Sequence, residues 1–138
     1  MKEVVVDTNV LVSALITPNS PPRILLTKIA SGEIGLVVSS RLLLEIVSVF
    51  SRPKLRLLIP ESKISDLVSL VHQAARIVKP AVKVHACRDP KDNVVLESAL
   101  AGKVRFIITG DQDLLVLSPF REIHLLTPGD FLSVLKSR

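Results

Sequence analysis

The chain has 138 residues, 48% of them hydrophobic, and a formal net charge of +5 from 18 Lys and Arg against 13 Asp and Glu. That is the length of one ordinary domain with enough apolar material for a substantial core, and no apolar run approaches the roughly 20 residues needed to cross a bilayer. Met1 to Val6 runs straight into Asp7 and Asn9 without the apolar stretch and cleavage site of a signal peptide. The expectation is therefore a single domain over residues 1–138, cytoplasmic and without membrane association. A lone cysteine, Cys87, excludes an intramolecular disulfide and a cysteine metal cage. Four Phe with neither Trp nor Tyr argue against an aromatic platform for stacking bases.

In chain order, Glu3 to Val6, with three valines in a row, predicts a strand buried on both faces. A helical stretch from Val10 to Leu15 is interrupted by Pro18, Pro21 and Pro22, and a second from Arg23 to Ala30 stops at Ser31-Gly32. Gly35 to Val38 predicts a strand, and Ser39-Ser40 an N-cap for a helix that runs to about Ser51 and ends at Pro53. Ser62 to Val78 carries apolar residues at spacings of three and four and predicts one amphipathic helix, with His72 facing solvent. Val82 to Val84 suggests a short strand. Pro90 to Ala101 reads as a helix closed by Gly102, Arg105 to Ile108 as a strand, Gln112 to Leu117 as a short helix, and Ile123 to Leu126 as a strand. The last helix takes Thr127 as N-cap and Pro128 at its first position, with Lys136 and Arg138 near its end. Strands alternating with helices predict an α/β fold with a mostly parallel sheet. In such sheets ligands bind at the carboxyl ends of the strands.

Three acids fall there: Asp7 after the first strand, Asp92 in the first turn of the helix after Asp89-Pro90, and Asp111 after the strand ending at Ile108. Singly, each has a plain structural role as a helix cap or a charge in a first turn. Glu45 does not. It is the only charge in the run Leu42 to Val49, on the face it shares with Leu42 and Val49, where a carboxylate is costly unless paired or bound to metal. Four carboxylates brought together repel one another unless a divalent cation lies between them. All-oxygen ligation suits Mg²⁺ or Mn²⁺ better than zinc. Thr8, Asn9, Ser39, Asp89 and Thr109 are candidates to support those carboxylates or associated waters, and Asp113 is a candidate fifth acid. Arg41, Arg52, Lys54 and Arg56 form a basic stretch suited to a polyanion. His85 and His124 have no second ligand at useful spacing.

The segments V-V-V-D-T-N-V at 4–10, S-S-R-L-L-L-E at 39–45, D-P-K-D-N at 89–93 and T-G-D-Q-D-L-L at 109–115 together resemble the PIN domain, in particular the toxin components of toxin-antitoxin pairs. S-R-P-K-L at 51–55 and the closing L-T-P-G-D-F-L extend the likeness over nearly the whole chain. The resemblance implies a three-layer α/β/α fold with about five mostly parallel strands, and Mg²⁺- or Mn²⁺-dependent hydrolysis of RNA. It also implies frequent homodimers and inhibition by a small antitoxin. By position the family's acids are Asp7, Glu45, Asp92 and Asp111, with Asp113 matching a further one. T-G-D at 109–111 departs from the T-N-D of many small toxins. The alternative function is a non-catalytic RNA- or protein-binding module of the same fold. A phosphatase is disfavoured because the first strand ends in Asp-Thr-Asn, without a D-x-D nucleophile motif.

Overall fold

β1 (Lys2–Val6) lies at the centre of a parallel sheet in a computed structural model that describes residues 2–137. Its three consecutive valines, Val4, Val5 and Val6, are fully covered, as a strand flanked on both faces requires. Beside it stand β2 (Ile34–Ser39) and β4 (Phe106–Ile108), with β3 (Arg76–Val78) outside β2 and β5 (His124–Leu126) outside β4. All four pairings are parallel, giving the order β3-β2-β1-β4-β5. Val6 is in register with Ile108, and the Asp7 N–H donates to the Ile108 carbonyl at 2.9 Å. The ends of β1 and β4 are thus tied one residue beyond the ladder.

Between the strands run α1 (Thr8–Ile16), α2 (Pro21–Ala30), α3 (Ser40–Phe50), α4 (Pro53–Leu58), α5 (Glu61–Ala74), α6 (Pro90–Gly102) and α7 (Gln112–Leu115), and α8 (Pro128–Lys136) closes the chain. α6 packs across β1 to β4 on one face of the sheet, while α2 and α5 cover β2 on the other and α8 lies between α2 and β5. The result is the expected three-layer α/β/α sandwich. Successive strands step outward from β1 to β3, then the chain returns to β4 on the opposite side of β1. The crevice at that reversal, outside the carboxyl ends of β1 and β4, is where such sheets bind ligands. Among the described residues, no helix is long and apolar enough to cross a membrane.

Several local expectations need correction. Pro53 does not simply end a helix. With Arg52 extended at the N-cap, it occupies the first position of α4, where its missing N–H has no partner to lose. The amphipathic helix stops at Ala74, and Arg76 to Val78 becomes an edge strand paired with Val37 to Ser39. Val82 to Val84 forms no strand; the Val84 N–H donates to the Glu97 carboxylate at 2.8 Å instead of to a ladder. The short helix α7 ends at Leu115. The expected contribution of Arg138 to the end of α8 lies outside the described residues. His72 and His85 are exposed, and His124 lies against Phe106 with ring centroids 6.0 Å apart.

Gly102 is the last residue of α6, not its left-handed terminator; Lys103 takes the left-handed position at φ 54°. Gly102 is needed for closeness, because a Cβ there would stand 2.7 Å from Cγ1 of Val37 on β2. Val37 is fully buried and stiff at χ1, so it cannot swing aside. Gly102→Ala should therefore lower stability: overpacking costs about 1–3 kcal/mol, against about 1 kcal/mol of helix propensity gained. A denaturant midpoint at or above the parent's would show that α6 and β2 are not held this closely.

Candidate active site

Asp7 leaves β1 at the N-cap of α1 and is only 8% exposed. Its carboxylate makes no capping hydrogen bond to α1. Instead it accepts one from the Thr109 hydroxyl at 2.8 Å, across the β1–β4 seam. Burial pushes the Asp7 pKa up; the Thr109 bond opposes the rise, the Asp111 charge adds to it, and the N–H groups of Thr8 and Asn9 pull it back. Thr109 is fully buried, and its oxygen also accepts from the Asp111 N–H at 3.0 Å. One hydroxyl thereby fixes the carboxylate after β1 and the turn after β4.

Asp111 caps α7, accepting from the Asp113 N–H at 2.9 Å, which engages one carboxylate oxygen and leaves the other. Asp92 stands in the first turn of α6, where Asp89 is the N-cap and accepts from the Lys91 N–H at 3.0 Å. The Asp92 pKa is pushed up to about 6, first by desolvation and then by the charges of Asp111, Asp7, Asp89 and Asp113. Glu45, half-buried one turn into α3, accepts a long hydrogen bond of 3.4 Å from the Thr8 hydroxyl. Desolvation raises its pKa, the Asp7 charge adds to the rise, and Thr8 and Lys91 oppose it. Asp7, Asp92 and Asp111 thus come from three segments within range of one another's charge, and Glu45 comes from a fourth within range of that of Asp7.

Other expected residues have more local work. Ser39 is fully buried at the N-cap of α3, accepting from the Leu42 N–H at 3.1 Å, and its hydroxyl lies in a hydrogen bond of 2.7 Å with that of Ser98 on α6. It is bonded to the scaffold, with no hydrogen bond to a carboxylate among the described residues. Asp113 is half exposed and paired with Arg88 at 3.2 Å. Asn9 is exposed and lines a cavity of about 380 Å³ beside Gly110 and Asp111. Arg41 and Arg52 line a groove that also contains Glu45, whereas the exposed Lys54 and Arg56 do not.

Among the described residues, no three His, Cys, Asp or Glu side chains form a ready-made ligand set. The donor set nonetheless fits a hard cation. Its oxygens are all carboxylate, and three of the acids have pKa values raised partly by one another, a strain that a divalent charge would relieve.

The sequence profile of the PIN domain matches residues 3–113. The chain belongs to the PIN domain family. A protein of Methanocaldococcus jannaschii, described as "Uncharacterized protein MJ1680", is 35% identical over 133 residues, covering 91% of this chain and 85% of that one. Among solved structures, VapBC2 from Rickettsia felis, bound to a DNA fragment from its promoter, matches with a TM-score of 0.59. That match covers 89% of this chain and 96% of the other at 14% identity, a likeness of fold. PIN domains are in general nucleases that use divalent metals.

In this PIN domain two residues missed by the sequence reading hold the approach to Asp89 and Asp92. Asn93 is buried and its side-chain oxygen accepts from the Cys87 N–H at 3.0 Å. Glu97, one turn on and 6% exposed, accepts from the Val84 N–H and pairs with Arg41 at 3.7 Å. Glu97 is the only charge in the run Val94 to Ala101, the same signal that singled out Glu45.

Two predictions follow from these contacts. Glu97→Ala leaves the buried Val84 N–H without an acceptor, which costs about 1–3 kcal/mol; amide exchange at Val84 should accelerate, and unchanged protection there would remove Glu97 as the anchor. For Asp92, the folded chain binds the proton more tightly than the unfolded one, since about 6 lies above the ordinary 3.8. Ionisation therefore costs stability progressively between about pH 4 and 6, and the cost is complete above that window. In chelator, Asp92→Asn should melt higher than the parent near neutral pH, with the gap closing as pH falls through the window. A gap indifferent to pH would exclude charge repulsion as its source.

Proposed function

We propose that this PIN domain is a metal-dependent endoribonuclease, the toxin of a toxin-antitoxin pair, acting in the cytoplasm. The observation that carries the reading is that Asp7, Asp92 and Asp111 lie within range of one another's charge at the topological reversal, with the Asp92 pKa pushed up to about 6 by desolvation and then by those charges, and with Glu45 within range of the Asp7 charge. Asp111 caps α7, but Asp7 makes no capping bond to α1 and Glu45 stands one turn inside α3, so capping does not account for the cluster. Asp7, Glu45, Asp92 and Asp111 would hold Mg²⁺ or Mn²⁺, with Asp113 a further acid once released from Arg88. When bound, the metal lowers the pKa of a water and stabilises the leaving oxygen in an in-line attack at phosphorus.

The protein's own groups set the geometry. Thr109 holds one oxygen of Asp7 across the β1–β4 seam. Thr8 orients Glu45, Asp89 fixes the first turn of α6 from which Asp92 projects, and exposed Asn9 stands at the rim beside Asp111. Arg88 neutralises Asp113, which moderates the negative field that an approaching phosphate meets. The likeness to VapBC2, together with the toxin-like motifs, supports a small antitoxin as partner, and the motifs alone suggest a homodimer as the working form.

The test is cleavage of a panel of structured and single-stranded RNAs by the wild type, Asp7→Asn and Asp92→Asn, with Mg²⁺, with Mn²⁺ and with chelator. Wild-type cleavage should be abolished by chelator and fall more than about 100-fold in either variant. Full activity in both variants would dismiss these metal roles. RNA bound by the wild type without turnover would favour a non-catalytic binding module.

A further inference from the structure

The N-terminal end of the sheet, opposite the acids, carries a second charged cavity. It holds about 250 Å³ and is lined by Lys2, Glu3, Lys103, Val104, Arg105 and Phe106. Lys2 opens β1, Lys103 follows the last residue of α6, and Arg105 precedes β4. Three elements frame it, and the other ends of the same three stand beside Asp7, Asp92 and Asp111. Its one acid, Glu3, is engaged elsewhere: both carboxylate oxygens accept from Arg76, at 2.9 Å each, and Arg76 also donates to the Gly102 carbonyl at 2.7 Å. Lys103 and Arg105 are both exposed, and among the described residues neither enters an ion pair. Lys2 lies over the Phe106 ring, 5.0 Å from its centroid, at the cavity wall. Like charges gathered on one cavity repel one another, and an ion of opposite sign relieves that repulsion.

The backbone at Lys103 points the same way. It holds the left-handed position after α6 at φ 54°, a conformation that costs a residue with a Cβ and that glycine takes freely. Glycine is the usual residue there. The chain has its glycine one position earlier, where the approach to Val37 requires it, and keeps a lysine in the strained place. Backbone geometry gives no reason for a lysine at 103, and its exposed side chain packs in no core, so the charge is what the position retains. We propose that this cavity binds a small phosphate anion of more than one charge, a pyrophosphate group either free or at the end of a nucleotide, held by Lys103 and Arg105 with Lys2 at its wall. Arg105 offers a planar fork of donors to two oxygens, and Lys103 a point charge to a third. The volume is below the roughly 300 Å³ at which sites for drug-sized ligands begin, so the nucleoside of a nucleotide stays outside. A bound anion joins the end of α6 to the starts of β1 and β4, and so braces the three elements beside the acids. The site does not depend on the nuclease reading, because it lies at the other end of the sheet.

The experiment is thermal unfolding of the full chain, dialysed free of divalent metal, with pyrophosphate, with ADP, and with sodium chloride at matched ionic strength. With binding at about 1 mM, 10 mM pyrophosphate should raise Tm by about 3–5 °C, whereas chloride only screens and should move it by less than about 1 °C. ADP should match pyrophosphate; a rise with pyrophosphate and none with ADP assigns the cavity to the free inorganic anion. Lys103→Gly should raise Tm in the absence of anion, since it relieves the left-handed strain, and yet lose most of the pyrophosphate effect. A tenfold weaker site leaves about 1 °C of the rise. Arg105→Gln should lose a similar share, while Lys103→Arg and Arg105→Lys, which keep the charge, should retain most of it. Lys54→Gln, at an exposed cation that does not line the cavity, should respond as the parent does. An equal rise in chloride, or the parent's full rise in both Lys103→Gly and Arg105→Gln, would overturn the site.

Discussion

A carboxylate placed at the end of the sheet's central strand must be held against its own desolvation, and the surroundings of Asp7 are arranged by that requirement. Without Thr109 its cost would be higher still, since burial and the neighbouring Asp111 both favour the proton. Thr109 sits at the end of β4 because β1 and β4 are in register to their last residues. Register, hydroxyl and carboxylate are one unit: a slip of one residue would turn Thr109 to the other face and leave Asp7 with neither donor nor neighbour.

The second constraint is that Asp92 comes from a helix, not from a strand end, and a helix can slide or tilt unless pinned. α6 is pinned three ways. Gly102 lets its end approach Val37, Ser98 bonds Ser39 at the root of α3, and Asn93 and Glu97 hold the preceding segment through the Cys87 and Val84 N–H groups. These are buried polar bonds and a close backbone approach, which specify position more sharply than apolar contact does. The Ser39–Ser98 bond also couples the helix bearing Asp92 to the helix bearing Glu45. The geometry of the two acids is therefore shared.

Much of this was legible in the chain itself. Three valines in a row announce a doubly covered strand, Thr127-Pro128 announces a helix start, and a lone Glu among leucines announces a carboxylate with business in a cleft. What was misread depended on partners distant in sequence. Ile77 and Val78 continue a helical spacing, and only pairing with Val38 and Ser39 makes them strand. Val82 to Val84 has a strand-like composition but no free ladder to join, because its N–H at Val84 is taken by Glu97. Pro53 carries the same letter whether it stops one helix or starts the next; the extended Arg52 before it decides.

The sequence by itself determined the alternation of strands and helices, the family, and which carboxylates stand at strand ends or in first turns, because periodicity, caps and turn residues act over a few positions. Only the tertiary structure decided which groups meet. It brought Thr109 to Asp7 from a hundred residues away, gave Ser39 to Ser98 and not to a carboxylate, and set Lys91 opposite Arg41 and Arg52 while leaving Lys54 and Arg56 outside. The physical reason is that a hydrogen bond or a shared charge depends on distances of a few ångströms, and those are fixed by strand register and helix packing.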